Sequence, residues 1–130
     1  MNLIEIFSII VIHWIADFVM QDEKWALGKS KNWKDLLSHT ATYSYSFWIL
    51  INMCSELFSL GLTFYWSFYF LLITFVCHTI TDYFTSRVIS KRFANKHLGG
   101  PIPSFGAFSI IGFDQVLHYV QLFITYCILK

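Results

Sequence analysis

The sequence predicts an all-α protein, a four-helix transmembrane bundle with both termini on the non-cytoplasmic side. Three observations predict it. Of the 130 residues, 56% are hydrophobic and only 13% charged, and the apolar residues come in long blocks where strands would alternate. Four blocks, at about residues 2–20, 36–54, 63–86 and 105–129, reach the roughly 20 apolar residues that a bilayer core requires. The basic residues also fall almost entirely on one side of such a bundle.

The first block, MNLIEIFSIIVIHWIADFVM, has no basic start and no small-residue cleavage site, and it carries Glu5, His13 and Asp17. It reads as a retained helix and not as a signal peptide. The segment DEKWALGKSKNWKD follows, polar enough to leave the bilayer, with Trp25 and Trp33 suited to the interface. After the second block, the connection from Ser55 to Leu62 is short and lacks Lys and Arg. After the third comes KRFANKHLGGPIPS, where Gly99, Gly100, Pro101 and Pro103 stop a helix. That stretch reads as a connector, with a lid over the cytoplasmic mouth as the functional alternative, and His97 beside Lys96 reads as a solvated surface residue.

Lys24, Lys29, Lys31 and Lys34 lie in the first loop and Arg87, Lys91, Arg92 and Lys96 in or beside the third, against Lys130 alone on the other side. Cytoplasmic loops collect Lys and Arg, so both long loops are expected in the cytoplasm, with Glu5 and Glu56 at the outer interface. The chain reads as one integral membrane domain, residues 1–130, without internal repeats. Cys54, Cys77 and Cys127 share no metal-type or disulfide-type spacing and read as small buried hydrophobes. A formal net charge of +1 argues against nucleic acid as a partner; membrane lipids are the expected one.

With about 1.5 Å of rise per residue, the ionisable residues inside the blocks fall at one depth. His13 and Asp17 lie on the first helix, His39 on the second, His78 and Asp82 on the third, and Asp114 and His118 on the fourth. Three of the helices carry His and Asp at i and i+4, which puts both side chains on one face. The order is His then Asp in HWIAD and HTITD but Asp then His in DQVLH. Because the fourth helix runs the opposite way, each pair has its histidine deeper and its aspartate shallower. Polar stripes extend the pairs: Thr74, His78, Thr81, Asp82 and Thr85; His39, Thr42, Tyr43 and Ser46; Asp114, His118, Gln121 and Thr125. Facing lipid they would be costly, so they are expected to line the interior.

No Lys or Arg accompanies the three aspartates within the apolar spans before Arg87. A carboxylate in low dielectric needs a proton or a cation. Either the four histidines are imidazolium partners, or histidines and aspartates share a metal ion. Imidazole and carboxylate without thiolate suit a divalent transition metal, zinc first, with manganese or iron as alternatives. Seven candidate ligands, His13, Asp17, His39, His78, Asp82, Asp114 and His118, leave room for one or two ions, or for one ion with supporting His–Asp contacts. Gln21, Lys29 and Gln115 are candidates for binding substrate or orienting a ligand.

The motifs H-x-x-A-D-F-x-x-Q (His13 to Gln21), A-x-x-K (Ala26 to Lys29), L-x-x-H-x-x-x-Y (Leu36 to Tyr43), H-x-x-x-D (His78 to Asp82) and F-D-Q-x-x-H (Phe113 to His118) run through nearly the whole chain. Together they resemble a family of small multi-pass membrane proteins of bacteria and their phages, catalogued as a domain of unknown function. That family is distantly similar to the membrane-bound metal-dependent hydrolases. The resemblance implies a bacterial inner (cytoplasmic) membrane and singles out the same His and Asp residues together with Gln21 and Gln115. The expected function is a metal-dependent hydrolase at the cytoplasmic leaflet, acting on an amphiphilic or phosphorylated small molecule. The alternative is a transporter module that relays protons or metal ions through the same residues. A phage-type hole-forming protein would leave the matched His–Asp pairs without a purpose.

Overall fold

In the structure, a computed structural model, residues 1–93 and 105–130 are described. Lys96, His97 and the Gly99 to Pro103 connector lie outside them. Every regular element among the described residues is helical, and no strand occurs. The first block folds as α1 (Leu3–Trp14) and runs on as a π-helical segment, Ile15–Val19. The basic loop contains a short helix, α2 (Glu23–Gly28), that its polarity did not predict. Then come α3 (Trp33–Phe58) and α4 (Phe64–Tyr83), which continues as a second π-helical segment, Phe84–Ile89, and a single turn, α5 (Ser90–Phe93). The last is α6 (Phe105–Leu129).

The starts are set by local chemistry. Asn2 and Glu5 form a capping box at α1; the side chains of Asp22, Asn32 and Thr63 accept from the free N–H groups that open α2, α3 and α4, which those groups need because no preceding turn can take them. The turn after α3 places Ser59 and Gly61 at φ 53° and 70°, the left-handed region that reverses a chain after a helix. Gly28 ends α2 where a Cβ would run into the Asp35 carboxylate. That close approach lets the chain fold back into α3.

Around the bundle the order is α1, α3, α4, α6, each packed on the next and α6 closing on α1. One half of the interior is apolar: Ile9, Ile12, Phe47, Ile51, Trp66, Phe70, Leu122 and Tyr126 form a continuous core. Phe70 stacks on Phe47 and Trp66, while Tyr126 meets Trp66 edge-on. At the far end Lys130 bonds Glu5, which is buried. The other half of the interior holds the histidines and aspartates.

Among the described residues, buried polar side chains outnumber buried apolar ones, whereas the outside of the helices carries exposed large hydrophobics such as Phe7, Trp14, Ile49, Met53, Leu72, Val76, Phe113, Val120 and Ile124. That is the reverse of a water-facing bundle. Among the described residues, one helix, Phe64–Ile89, is on length and hydropathy alone apolar enough to cross a membrane. α3 and α6 have the length, but their interior stripes of His, Asp, Gln, Ser and Thr lower the average. Cys54 and Cys77 are half-buried and Cys127 is exposed, so the expectation of three buried cysteines is corrected: Cys54 packs on the edge of the core, and Cys127 looks outward.

Candidate metal centre

His39, His78, Asp82 and His118 are almost fully buried, and Asp17 and Asp114 nearly so. His39 comes from the first turns of α3, His78 and Asp82 from the last turns of α4, and Asp114 and His118 from the first half of α6. All sit at the end of the bundle where Lys29 and Arg87 lie.

The i,i+4 spacing meets its expectation twice: His78 Nε2 lies 3.6 Å from Asp82 Oδ2 and His118 Nε2 3.4 Å from Asp114 Oδ2. The third pair separates. The π-helical segment opens between His13 and Asp17, and the extra residue in its turn rotates the downstream side chains away from the α-helical register. Asp17 therefore meets His39 at 3.3 Å and His78 at 3.7 Å.

His13 is held elsewhere. Its Nδ1 is 2.7 Å from the Tyr43 hydroxyl and its Nε2 is 2.8 Å from Gln115 Oε1. The Gln115 amide N–H donates to Asp17 Oδ2 at 3.1 Å and to Asp114 Oδ2 at 3.4 Å. Carboxylates only accept, so the amide oxygen must face His13, and His13 Nε2 must carry a proton. With both nitrogens engaged, His13 supports the cluster and stands outside the ligand set that the sequence proposed for it.

Two imidazole nitrogens stand close to two carboxylate oxygens. His39 Nε2 lies 3.0 Å from Asp82 Oδ2, 3.3 Å from Asp17 Oδ1 and 3.3 Å from His78 Nε2, and His78 Nε2 is 3.7 Å from Asp17 Oδ1 and 3.6 Å from Asp82 Oδ2. The His39–His78 pair is thus shared by two triangles, one closed by Asp17 Oδ1 and the other by Asp82 Oδ2. Zinc holds nitrogen and oxygen ligands at about 2.0–2.1 Å, which corresponds to ligand–ligand distances of roughly 3.3–3.4 Å. His39 Nε2 and His78 Nε2 meet within hydrogen-bond distance, whereas Asp17 Oδ1 makes no hydrogen bond among the described residues despite its two imidazole neighbours. Asp17, His39 and His78 form one group of metal-ligating character, and His78, Asp82 and His118 a second. Ring stacking fixes the imidazoles: His78 lies between Tyr43 and His118, with centroids 3.8 Å and 4.0 Å away.

The expectation that no Lys or Arg reaches the aspartates is corrected. Lys29 Nζ lies 3.0 Å and 3.1 Å from the two Asp82 oxygens. Burial alone would push its ammonium down, but the carboxylates of Asp82, Asp17 and Asp114 hold it above its ordinary value. The turn after α2 delivers it, and Arg87 Nε clamps that turn by donating to the Lys29 carbonyl at 3.0 Å. Arg87 also lies 4.6 Å over the Trp33 ring, which stacks on Tyr83. Sequence reading took Arg87 only as a loop charge; nothing in its spacing announces the clamp.

Next to the cluster is a cavity of about 230 Å³, lined by Asp17, Gln21, Lys29, Asp114 and Gln115 together with Phe18, Ile110 and Ile111. Gln21 Oε1 is buried there without a partner. The lining thus combines polar groups that belong to the cluster with apolar side chains.

An all-helical protein with a buried His/Asp cluster is the class that fold and site define. The chain belongs to the family described as Protein of unknown function (DUF3307), whose model matches residues 6–130. No curated protein and no solved structure matches it.

Proposed function

We propose that this is a multi-pass membrane protein with a divalent-metal centre, acting as a hydrolase on an amphiphile at the cytoplasmic leaflet. The observation that carries the metal is the approach of Asp17 Oδ1 and Asp82 Oδ2 to both His39 Nε2 and His78 Nε2, at distances from 3.0 to 3.7 Å, among buried side chains. Paired imidazoles and carboxylates there suit zinc, manganese or iron. The inverted polarity supports a membrane on all sides, since exposed Phe, Ile, Leu and Val surround buried His, Asp, Ser and Thr. The basic residues at the site's end of the bundle support a cytoplasmic opening.

A divalent ion supplies Lewis-acid polarisation of a scissile oxygen and makes water a nucleophile near neutral pH. The chain's own residues do the rest. Gln115 orients Asp17 and Asp114 and sets the His13 tautomer. Lys29 neutralises part of the carboxylate charge. The cavity beside them, apolar at Phe18, Ile110 and Ile111 and polar at Gln21 and Lys29, suits a molecule with a hydrocarbon part and a polar ester, amide or phosphoester.

A relay of protons or ions would need titratable groups on through the bundle. Between the His/Asp layer and Glu5, the buried polar groups among the described residues are hydroxyls such as Ser8, Ser67, Thr74 and Thr125 and the Gln121 amide. The Phe47, Phe70, Trp66 and Tyr126 cluster fills the space between. This favours a one-sided site. The test is metal analysis of protein purified in mild detergent without chelator, followed by a panel of amphiphilic esters and phosphoesters assayed with and without chelator. Stoichiometric metal with chelator-sensitive hydrolysis is expected. Folded, metal-free protein indifferent to chelator would transfer the reading to the relay.

A further inference from the structure

The geometry points to a one-ion centre in which the Lys29 ammonium occupies what would otherwise be a second cation position. This rests on the metal reading above and specifies its stoichiometry and the part Lys29 plays in it.

Asp82 presents one oxygen to each of two places. Its Oδ2 faces His39 Nε2 at 3.0 Å and His78 Nε2 at 3.6 Å, the two imidazoles that Asp17 also meets. Its Oδ1 faces His118 Nε2 at 3.5 Å, and His118 Nε2 is in turn 3.4 Å from Asp114 Oδ2. Imidazole and two carboxylates are a second, smaller set of ligands, and a carboxylate joining two ions through its two oxygens is what a dinuclear site requires. His118 Nε2 makes no hydrogen bond, so it is available.

What lies against that carboxylate is Lys29 Nζ, which straddles it at 3.0 Å from Oδ1 and 3.1 Å from Oδ2 and so fills the side of Asp82 that a second ion would need. An ammonium delivers one positive charge through a fixed stem and is held in place by the Arg87 contact with the Lys29 carbonyl. The charge count agrees. Counted with the imidazoles neutral, as metal ligation requires, Asp17, Asp82 and Asp114 supply three negative charges, and one divalent ion and Lys29 supply three positive ones. A second divalent ion beside Lys29 would leave two unbalanced positive charges in a buried site, which is strongly unfavourable. Without Lys29, one negative charge is unbalanced at Asp82 Oδ1, His118 and Asp114, and a second divalent ion with one bound anion restores neutrality.

The experiment loads detergent-purified protein with excess Zn²⁺, removes loose ions by dialysis, and counts the metal retained. Wild type should retain one equivalent, Lys29→Met two, Lys29→Arg one, and Lys29→Met combined with His118→Ala one. Two equivalents in wild type, or one in folded Lys29→Met, overturns the proposal and leaves the metal centre standing. No retained zinc in wild type overturns the metal reading itself and this proposal with it. Should Lys29→Met not fold, wild type saturated with Mn²⁺ decides: an isolated Mn²⁺ spectrum supports the single ion, and an exchange-coupled pair refutes it.

Discussion

Removing the His39 imidazole is the most direct perturbation of the centre. His39 Nε2 forms three of the five measured distances, including the shortest at 3.0 Å. Loss of a residue that merely orients a ligand costs about 10–100-fold in metal affinity, so His39→Ala, which removes a ligand itself, should cost roughly 100-fold or more, about 2.8 kcal/mol at 1.4 kcal/mol per tenfold. If free zinc stands near 1,000 times Kd for wild type, bound metal stabilises the fold by about 4 kcal/mol, and at ten times Kd by only about 1.4 kcal/mol. At a few degrees per kcal/mol for a chain of this size, the difference is on the order of 10 °C in Tm. The variant also leaves Asp17 and Asp82 with fewer partners, which lowers the stability of the metal-free state as well. The decisive reading is therefore the response to chelator in a thermal unfolding assay in detergent. Chelator should lower the wild-type Tm by about 10 °C or more and the His39→Ala Tm by only a few degrees. His39→Ala that keeps wild-type zinc affinity, or wild type whose Tm ignores chelator, would refute the metal reading.

His13→Ala should keep its full complement of metal but bind it about tenfold more weakly, because Gln115 loses the partner that orients it toward Asp17; competition with a coloured chelator measures this, and complete loss of metal would put His13 among the ligands. Metal occupancy should fall as pH drops from 8 to 5.5, since imidazole ligands must give up their protons to bind; equilibrium dialysis should show more than one proton taken up per ion released, and a flat profile would exclude histidine ligation. Gly28→Ala should destabilise the protein by about 1–3 kcal/mol, because the new methyl group meets the Asp35 carboxylate and disturbs the turn that delivers Lys29; unchanged unfolding would show that the turn is loose. In whole cells with Cys54, Cys77 and Cys127 replaced by Ala, a cysteine at Lys31 should resist an impermeant thiol reagent and one at Lys130 should react; the opposite pattern would invert the orientation.

Much of the site was legible along the chain. His78 and Asp82, and Asp114 and His118, stand at i and i+4, a spacing that brings side chains together on any regular helix, and both pairs meet as the spacing requires. The inward stripes of α3, α4 and α6 were legible for the same reason: Tyr43, Thr74 and Thr125 are buried because the helical period puts them on the face with the histidines. His13 and Asp17 have the same spacing and do not meet. Their helix changes to a π turn between them, and no residue in IADFV announces that change.

The sequence by itself determined that the chain is helical, that His and Asp gather at one level, and which helix faces turn inward. These features arise from local periodicity and from the cost of leaving ionisable groups in an apolar setting, neither of which needs a partner to be known. Only the tertiary structure decided that His13 hands its place to His39 beside Asp17, that Gln115 ties His13 to two carboxylates, and that Lys29 returns from a surface loop to Asp82. Those contacts join residues between 22 and 102 positions apart, for instance His13 with Gln115 and His39 with Asp17. They depend on how the helices pack and on where a turn releases the chain, and a period of 3.6 residues carries no information about either.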